Sequence, residues 1–240
     1  MVKSSDLKSS HFPHKFGKKE VSKIYLFRHG QTTYNAKNIF TGWKDPSLTK
    51  KGIVQAKRVA WKLKNKEIEV AFRSRLSRSK DTLKIVLKHH SECKKIIEDN
   101  RIIERRYGIL EGTTHEAFIK RIGKKLGEDL AAIGDSIENL GKKERKKADL
   151  FLGEQEYNAI HRGYNVKVPG GESFADVEKR VESFVEFLKK FVKKNKVNVA
   201  ISAHGNSIRL FRKIWENASK EEAIKWIIPY DKVYEYEIRV

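Results

Sequence analysis

Two histidines, each standing just past an apolar run, carry the strongest chemical signal in this chain. His29 lies in KIYLFRHGQTTYN, where Arg28-His29-Gly30 follows Ile24-Tyr25-Leu26-Phe27. His204 lies in VNVAISAHGNSIRLF, where His204-Gly205-Asn206 follows Val197 to Ala203. Each run reads as a short buried strand that opens into a polar turn and then a helix. Two such turns can bring two imidazoles to one edge of a sheet, which is one way to build a phosphoryl-transfer site without a metal. Neutral imidazole is an uncharged nucleophile near pH 7. Arg28 is a fixed cation beside it, able to hold phosphate oxygens through two parallel hydrogen bonds. Gly30 lets the backbone approach an anion closely. Gly205 and Asn206, at a helix start, add donors and a favourable dipole.

The elements that must position these residues follow from hydrophobic periodicity. Strands are predicted at 23–28, 69–72, 95–98, 197–203 and 233–238. Thr49 reads as the N-cap of a helix with Ile53, Ala56, Val59, Ala60 and Leu63 on its apolar stripe. A second helix runs through Leu76, Leu83, Val86 and Leu87. Ser173-Phe174-Ala175-Asp176 resembles a capping box directly after Pro169-Gly170-Gly171. The helix it opens carries Phe174, Val177, Val181, Phe184, Val185, Leu188 and Phe191 on one face. Helices follow after Gly205 and at 219–226. The stretch 113–162 is polar and mostly helical, the core of an inserted cap taken as 113–168. Strands alternating with helices imply an α/β fold of three layers, αβα: a mostly parallel sheet with helices on both faces and a mainly helical cap. In such sheets ligands bind beyond the carboxyl ends of the strands, where both histidines fall.

Composition bounds the rest. A chain of 240 residues, 39% apolar and 35% charged, buries a sizeable core beneath a well-charged surface. Its one cysteine, Cys93, excludes an internal disulfide and a cysteine metal cluster. No apolar run is long enough to span a bilayer and no secretory leader is evident, so a cytoplasmic enzyme is expected. Residues 1–20 are rich in Ser, Lys and His and read as a flexible basic extension ahead of a domain at 21–240. The net charge of +21 suits either a lysine-rich solvated surface or small anionic substrates, and no RNA-binding or zinc-finger pattern interleaves the basic residues, so nucleic acid is not the expected partner.

In order along the chain, RHGQTTYN, FTGWKDPSLTKKG, SRLSRSKDTL, IERRYGILEG and AHGNS resemble the histidine phosphatase superfamily, and most of all its cofactor-dependent phosphoglycerate mutase branch. The likeness runs from residue 24 to 238. It implies that His29 is the phosphorylated nucleophile and that Arg28, Arg78 and His204 surround the phosphoryl group. It implies that Glu104 is the general acid and base for the substrate hydroxyl. Asn35, Thr41, Gly42, Gly205 and Asn206 would line the substrate, and Arg105, Arg106 and Tyr107 would hold its carboxylate or phosphate. Read without the motif, Arg78 is a solvated helix residue and Glu104, flanked by two arginines, belongs to a surface ion-pair cluster. The implied activity interconverts 3-phosphoglycerate and 2-phosphoglycerate in glycolysis and gluconeogenesis. It is primed by 2,3-bisphosphoglycerate, needs no metal, and runs in a homodimer or homotetramer.

A phosphatase acting on a small phosphorylated metabolite is the alternative. The chemistry forks once phosphohistidine forms: a mutase returns the group to a bound glycerate, whereas a phosphatase admits water. Compared with the mutase pattern, Arg106 replaces a histidine and His115 aligns with a lysine. The paired arginines of the cap have no clear counterpart, with Arg121, Lys124, Lys125 and Arg162 as the cations to consider. Pro169-Gly170-Gly171-Glu172-Ser173 resembles the phosphatase branches. The end at Val240, without the longer tail common in mutases, adds an expectation that water reaches the site. A catalytically silent anion- or nucleic-acid-binding protein is a third reading, which the joint presence of His29, Glu104, Arg28, Arg78 and His204 disfavours.

Overall fold

The computed structural model describes residues 19–134 and 136–240; residues 1–18 of the basic extension lie outside the described residues. Among the described residues, β1 (Val21–Arg28), β2 (Val70–Arg73), β3 (Lys95–Glu98), β4 (Val199–Ala203) and β5 (Val233–Arg239) form one sheet in the order β3-β2-β4-β1-β5. Neighbours from β3 to β1 are parallel, and β5 closes the other edge antiparallel to β1. The sheet is mostly parallel, as predicted. The strand expected from 197 begins at Val199, because the N–H of Asn198 turns to the Glu69 carboxylate (2.6 Å) while its carbonyl accepts from Glu69 N (3.1 Å).

Alternation along the strands divides their side chains between two cores. Ile24, Leu26, Val70, Phe72, Val199 and Ile201 pack on one face against α6 (Phe174–Asn195) and α7 (Gly205–Glu216). Tyr25, Phe27, Ala71 and Ala200 pack on the other against α2 (Lys50–Leu63) and α3 (Ser77–Val86). The period of two along a strand makes this split unavoidable once both faces are covered. The three-layer expectation therefore holds.

Local signals set the helix starts. Thr49 Oγ1 accepts from Gly52 N (3.0 Å) to cap α2, after the short α1 (Thr33–Ala36). Ser173 and Asp176 cap α6 reciprocally, Ser173 Oγ accepting at 3.1 Å and Asp176 Oδ2 at 3.0 Å; such a cap contributes about 1 kcal/mol. The predicted α2 stripe needs one correction. Ile53 is 39% exposed, and the buried face runs through Gly52, Gln55, Ala56, Val59, Ala60 and Leu63. Close packing of Gly52 on the chain at Gln31 turns that face inward and rotates Ile53 out.

Between the sheet's halves in sequence lie α4 (His115–Ala132) and α5 (Lys142–Arg162). They cross where Gly123 and Gly153 sit: a Cβ on Gly123 would stand 1.9 Å from Asp149 O, and one on Gly153 would stand 2.1 Å from Ile119 O. A third apolar cluster, with Phe40, Tyr107, Leu110, Phe118, Ile160 and Val168, joins these helices to the loops that carry the predicted site. The short α8 (Lys220–Lys225) precedes β5. No helix among the described residues is long and apolar enough to cross a membrane.

Candidate active site

Strand register explains why the two histidines meet. Arg28 pairs with Ala203 at the carboxyl ends of the adjacent parallel strands β1 and β4. The next residue on each is a histidine, and His29 N still donates to Ala203 O (3.0 Å). The two rings lie 5.0 Å apart between centroids, both fully buried or nearly so. Gly30 then turns under Gly52, where a Cβ would meet Gly52 O at 2.2 Å, so a larger residue would push the turn off α2.

The rings have different partners. His29 Nδ1 donates to Gly30 O (2.7 Å), which leaves Nε2 as the bare nitrogen. Burial, reinforced by the Arg78 and Arg28 cations, holds the His29 pKa well below its ordinary value. The imidazole is therefore neutral and nucleophilic at physiological pH. His204 Nε2 shares a hydrogen with Ser74 Oγ (2.7 Å), and its Nδ1 is buried with no partner among the described residues. With Ser74 donating, Nδ1 carries the proton and can donate to a phosphoryl oxygen. Burial also depresses the His204 pKa, followed by Arg78, His29 and Arg28.

Arg78 is not the solvated residue its position suggests. It is fully buried on α3, with Nη1 donating to Lys44 O (2.7 Å) and Nη2 to Gly42 O (2.8 Å). Burial lowers its pKa to about 10, so it remains a cation at neutral pH. Asp45 holds the start of this helix by accepting from Ser77 N (2.9 Å) and Ser77 Oγ (3.0 Å). Arg28 donates to Ile228 O (2.9 Å) and lies 4.0 Å from the Tyr230 ring centroid. The Nε of Arg28 and the Nε of Arg78 are both buried without partners among the described residues.

Glu104 is 8% exposed and is not part of a surface ion-pair cluster. Its Oε1 accepts from Arg105 N (2.8 Å) and Asn206 N (3.2 Å), the latter at the N-terminus of α7. Its carbonyl is held by Trp43 Nε1 (2.8 Å) and Arg180 Nη2 (3.1 Å). Arg180 also grips Arg101 O and Ile103 O and forks onto the Glu172 carboxylate at 3.0 Å. Glu172, in the Pro-Gly-Gly-Glu-Ser turn, accepts from Arg106 N as well (2.9 Å). That turn thus braces the Glu104 segment besides capping α6.

A cavity of about 280 Å³ lies beside this cluster; His29, Arg78 and His204 are not among the residues that border it. Of the residues expected to line substrate, Asn35, Thr41, Gly42, Tyr107, Gly205 and Asn206 do border it, together with Arg28 and Glu104. Asn206 Nδ2 donates to Tyr107 Oη (3.3 Å). Arg105 and Arg106 lie elsewhere. Arg105 is fully buried, its three donor groups taken by Glu172 O, Ile160 O and Val166 O, so it ties the cap to the sheet domain. Arg106 points outward over the Trp43 ring at 5.0 Å. Among the cap cations considered, Arg162 borders the cavity, while Arg121, Lys124 and Lys125 do not.

Sequence reasoning missed Arg209, Tyr230, Tyr157 and His161, all of which border the cavity. Arg209 follows Gly205 by one helical turn and so shares its face, a spacing visible in the sequence. Its Nη1 donates to Asn206 Oδ1 (2.5 Å), and burial lowers its pKa to about 10. Tyr230 meets His29 edge-on at 6.3 Å. No periodicity marks a loop tyrosine or a lone histidine in a polar helix.

Donor atoms of His29, Glu104 and His204 lie within 4.8 Å of one another, a spacing that would also suit a small cation. The depression of both histidine pKa values by Arg28 and Arg78 means that the local field is positive and favours an anion.

Known proteins resemble this chain in sequence and in fold. A 2,3-bisphosphoglycerate-dependent phosphoglycerate mutase of Staphylococcus aureus (strain MRSA252) is 33% identical over 223 residues, 90% of this chain and 94% of that one. The crystal structure of phosphoglycerate mutase from Bacillus anthracis str. Sterne superposes with a TM-score of 0.63 at 19% identity, covering 92% of this chain and 89% of the other. The alpha-ribazole phosphatase from Shigella flexneri superposes with a TM-score of 0.65 at 19% identity, covering 89% of each. The family model of the histidine phosphatase superfamily (branch 1) matches residues 24–145 and 138–239, and the chain belongs to that superfamily.

Proposed function

We propose that this chain interconverts 3-phosphoglycerate and 2-phosphoglycerate by passing a phosphoryl group through His29. The observation that carries the reading is a cavity bordered by three cations, Arg28, Arg162 and Arg209, and by Glu104. Arg78, whose buried Nε is unpartnered like that of Arg28, adds its charge at His29 beside it. A three-carbon acid phosphate has two anionic groups for such a set of cations. The 33% identity to a phosphoglycerate mutase over most of both chains supports the same reading.

The mechanism follows from the named atoms. 2,3-Bisphosphoglycerate fits as primer, because Arg28, Arg78 and His204 offer unpartnered polar atoms to a phosphate; it supplies the first phosphoryl group. With His29 phosphorylated, the C2 hydroxyl of 3-phosphoglycerate gives its proton to Glu104 and attacks phosphorus as the P–N bond breaks. His29 Nε2 then takes the C3 phosphoryl group, and the leaving alkoxide recovers the proton from Glu104. Arg28, Arg78 and His204 Nδ1 donate to the equatorial oxygens, whose charge is largest in flight.

One observation favours the phosphatase alternative: the cap side of the cavity presents His115, Tyr157 and His161, which are uncharged at neutral pH. Product analysis with 3-phosphoglycerate, primed by 2,3-bisphosphoglycerate, separates the two. 2-Phosphoglycerate as the main product supports the mutase; glycerate with free phosphate overturns it in favour of hydrolysis. We place the activity in the cytoplasm, on the domain at 21–240 with residues 113–168 as its cap.

A further inference from the structure

The cap wall of the cavity is a cluster of five rings. His161 lies at its centre, with ring centroids 4.4 Å from Tyr157, 5.0 Å from His115, 5.2 Å from Phe40 and 5.6 Å from Tyr107. His115 and Tyr157 satisfy each other through a hydrogen bond between Tyr157 Oη and His115 Nδ1 (3.0 Å). His161 differs, since its Nε2 is buried and has no hydrogen-bond partner among the described residues. A buried polar nitrogen without a partner costs about 1–3 kcal/mol. Such a group, bordering a substrate cavity, is suited to be completed by the ligand.

We propose that the buried Nε2 of His161 receives the second anionic group of the substrate, and that a proton from solvent enters with that group to form the imidazolium that pairs with it. This rests on the reading of the substrate as a phosphorylated carboxylic acid. Every neighbour makes His161 neutral in the free chain. Burial lowers its pKa to about 3, and the groups facing it add to this: His115 from α4, which is neutral at pH 7 and so competes for a proton only in acid, and the cations Arg162 beside it on α5, Arg105 from the 104–107 segment and Arg209 from α7. Tyr157 and Tyr107 contribute uncharged rings. No carboxylate faces it among the causes of that shift. A bound carboxylate would supply the missing negative charge, raising the His161 pKa in the complex. Free and bound forms then differ in protonation across the interval between the two pKa values. Within it, binding takes up a proton, and affinity falls as pH rises. His161 is thereby a specificity residue: a monoester without a second anion draws in no proton there and leaves the nitrogen unpartnered.

The test is calorimetric titration in a His29→Asn background, which cannot turn over ligand, using two buffers of different ionisation enthalpy. 3-Phosphoglycerate is compared with glycerol 3-phosphate, which has the same phosphate and no carboxylate. The expected result is roughly tenfold to a hundredfold tighter binding of 3-phosphoglycerate. The difference in proton uptake between the two ligands should be above zero and should grow as pH falls. His161→Gln should abolish that difference and weaken only the carboxylate-bearing ligand. His161→Arg should keep the preference without the proton. A carboxylate preference with no extra proton uptake, or one that persists in His161→Gln, overturns the proposal and leaves the mutase reading intact. Equal binding of the two ligands overturns both.

Discussion

His29 and His204 take unequal roles because their second nitrogens meet different partners. The Gly30 carbonyl fixes the proton on Nδ1 of His29 and leaves Nε2 bare, whereas Nε2 of His204 shares a hydrogen with Ser74 Oγ; in the proposed mechanism Ser74 donates, which frees His204 Nδ1 to donate in turn. Glu104, the base of the proposed mechanism, is held by two backbone N–H groups with its carboxylate beside the start of α7. Glu104→Gln keeps the shape and removes the base, so kcat should fall roughly 10²- to 10⁴-fold while KM changes little. Steady-state kinetics checks this, and an unchanged kcat would remove Glu104 from the chemistry. At this scale the sequence showed residue types but not where they point. Arg105 and Arg106 look equivalent beside Glu104, yet one is buried among carbonyls and the other lies on Trp43. Their fates depend on α5 and the Pro-Gly-Gly-Glu-Ser turn, more than fifty residues away. Likewise nothing local distinguishes His161 from a solvated histidine.

Elements position these groups through a few braces. The β1–β4 register delivers both histidines, and this was legible because one apolar run ends directly before His204 and the other ends at Phe27, with only Arg28 between it and His29. The Arg180–Glu172 fork was not legible. It links α6 to the carbonyls of Arg101, Ile103 and Glu104, and only the packing of α6 over that segment brings them together. Arg180 acts through Glu104 and is a positioning residue. Arg180→Lys retains the charge and loses the planar fork. At temperatures where the variant is folded, kcat should drop roughly ten- to a hundredfold with KM nearly unchanged, because small misplacements of a catalytic group are costly. Equal kcat for variant and parent, with only thermal stability reduced, would make the fork purely structural.

For the molecule as a whole, burying uncharged imidazoles ties stability to pH. His29, His161 and His204 all have pKa values below the ordinary one in the folded chain, chiefly through burial. Below about pH 6.5 the unfolded chain binds protons that the folded chain refuses, so stability is full above that pH and is lost as pH falls. Each such histidine contributes a slope of up to ~1.4 kcal/mol per pH unit. Thermal melting should therefore decline steeply between pH 6.5 and pH 5, and less so in His161→Gln; a flat profile would contradict the assigned neutral states. The layered α/β architecture was readable from strand–helix alternation, since both faces of the sheet had to be covered. The cavity between sheet and cap was not, because its walls come from seven separate segments. The central claim is that the phosphoryl group resides on His29. Incubating the full chain with 2,3-bisphosphoglycerate and mapping the modified residue tests it most directly. An acid-labile, base-stable phosphate on His29, absent from His29→Ala, is the predicted result; labelling that persists in His29→Ala would contradict the account.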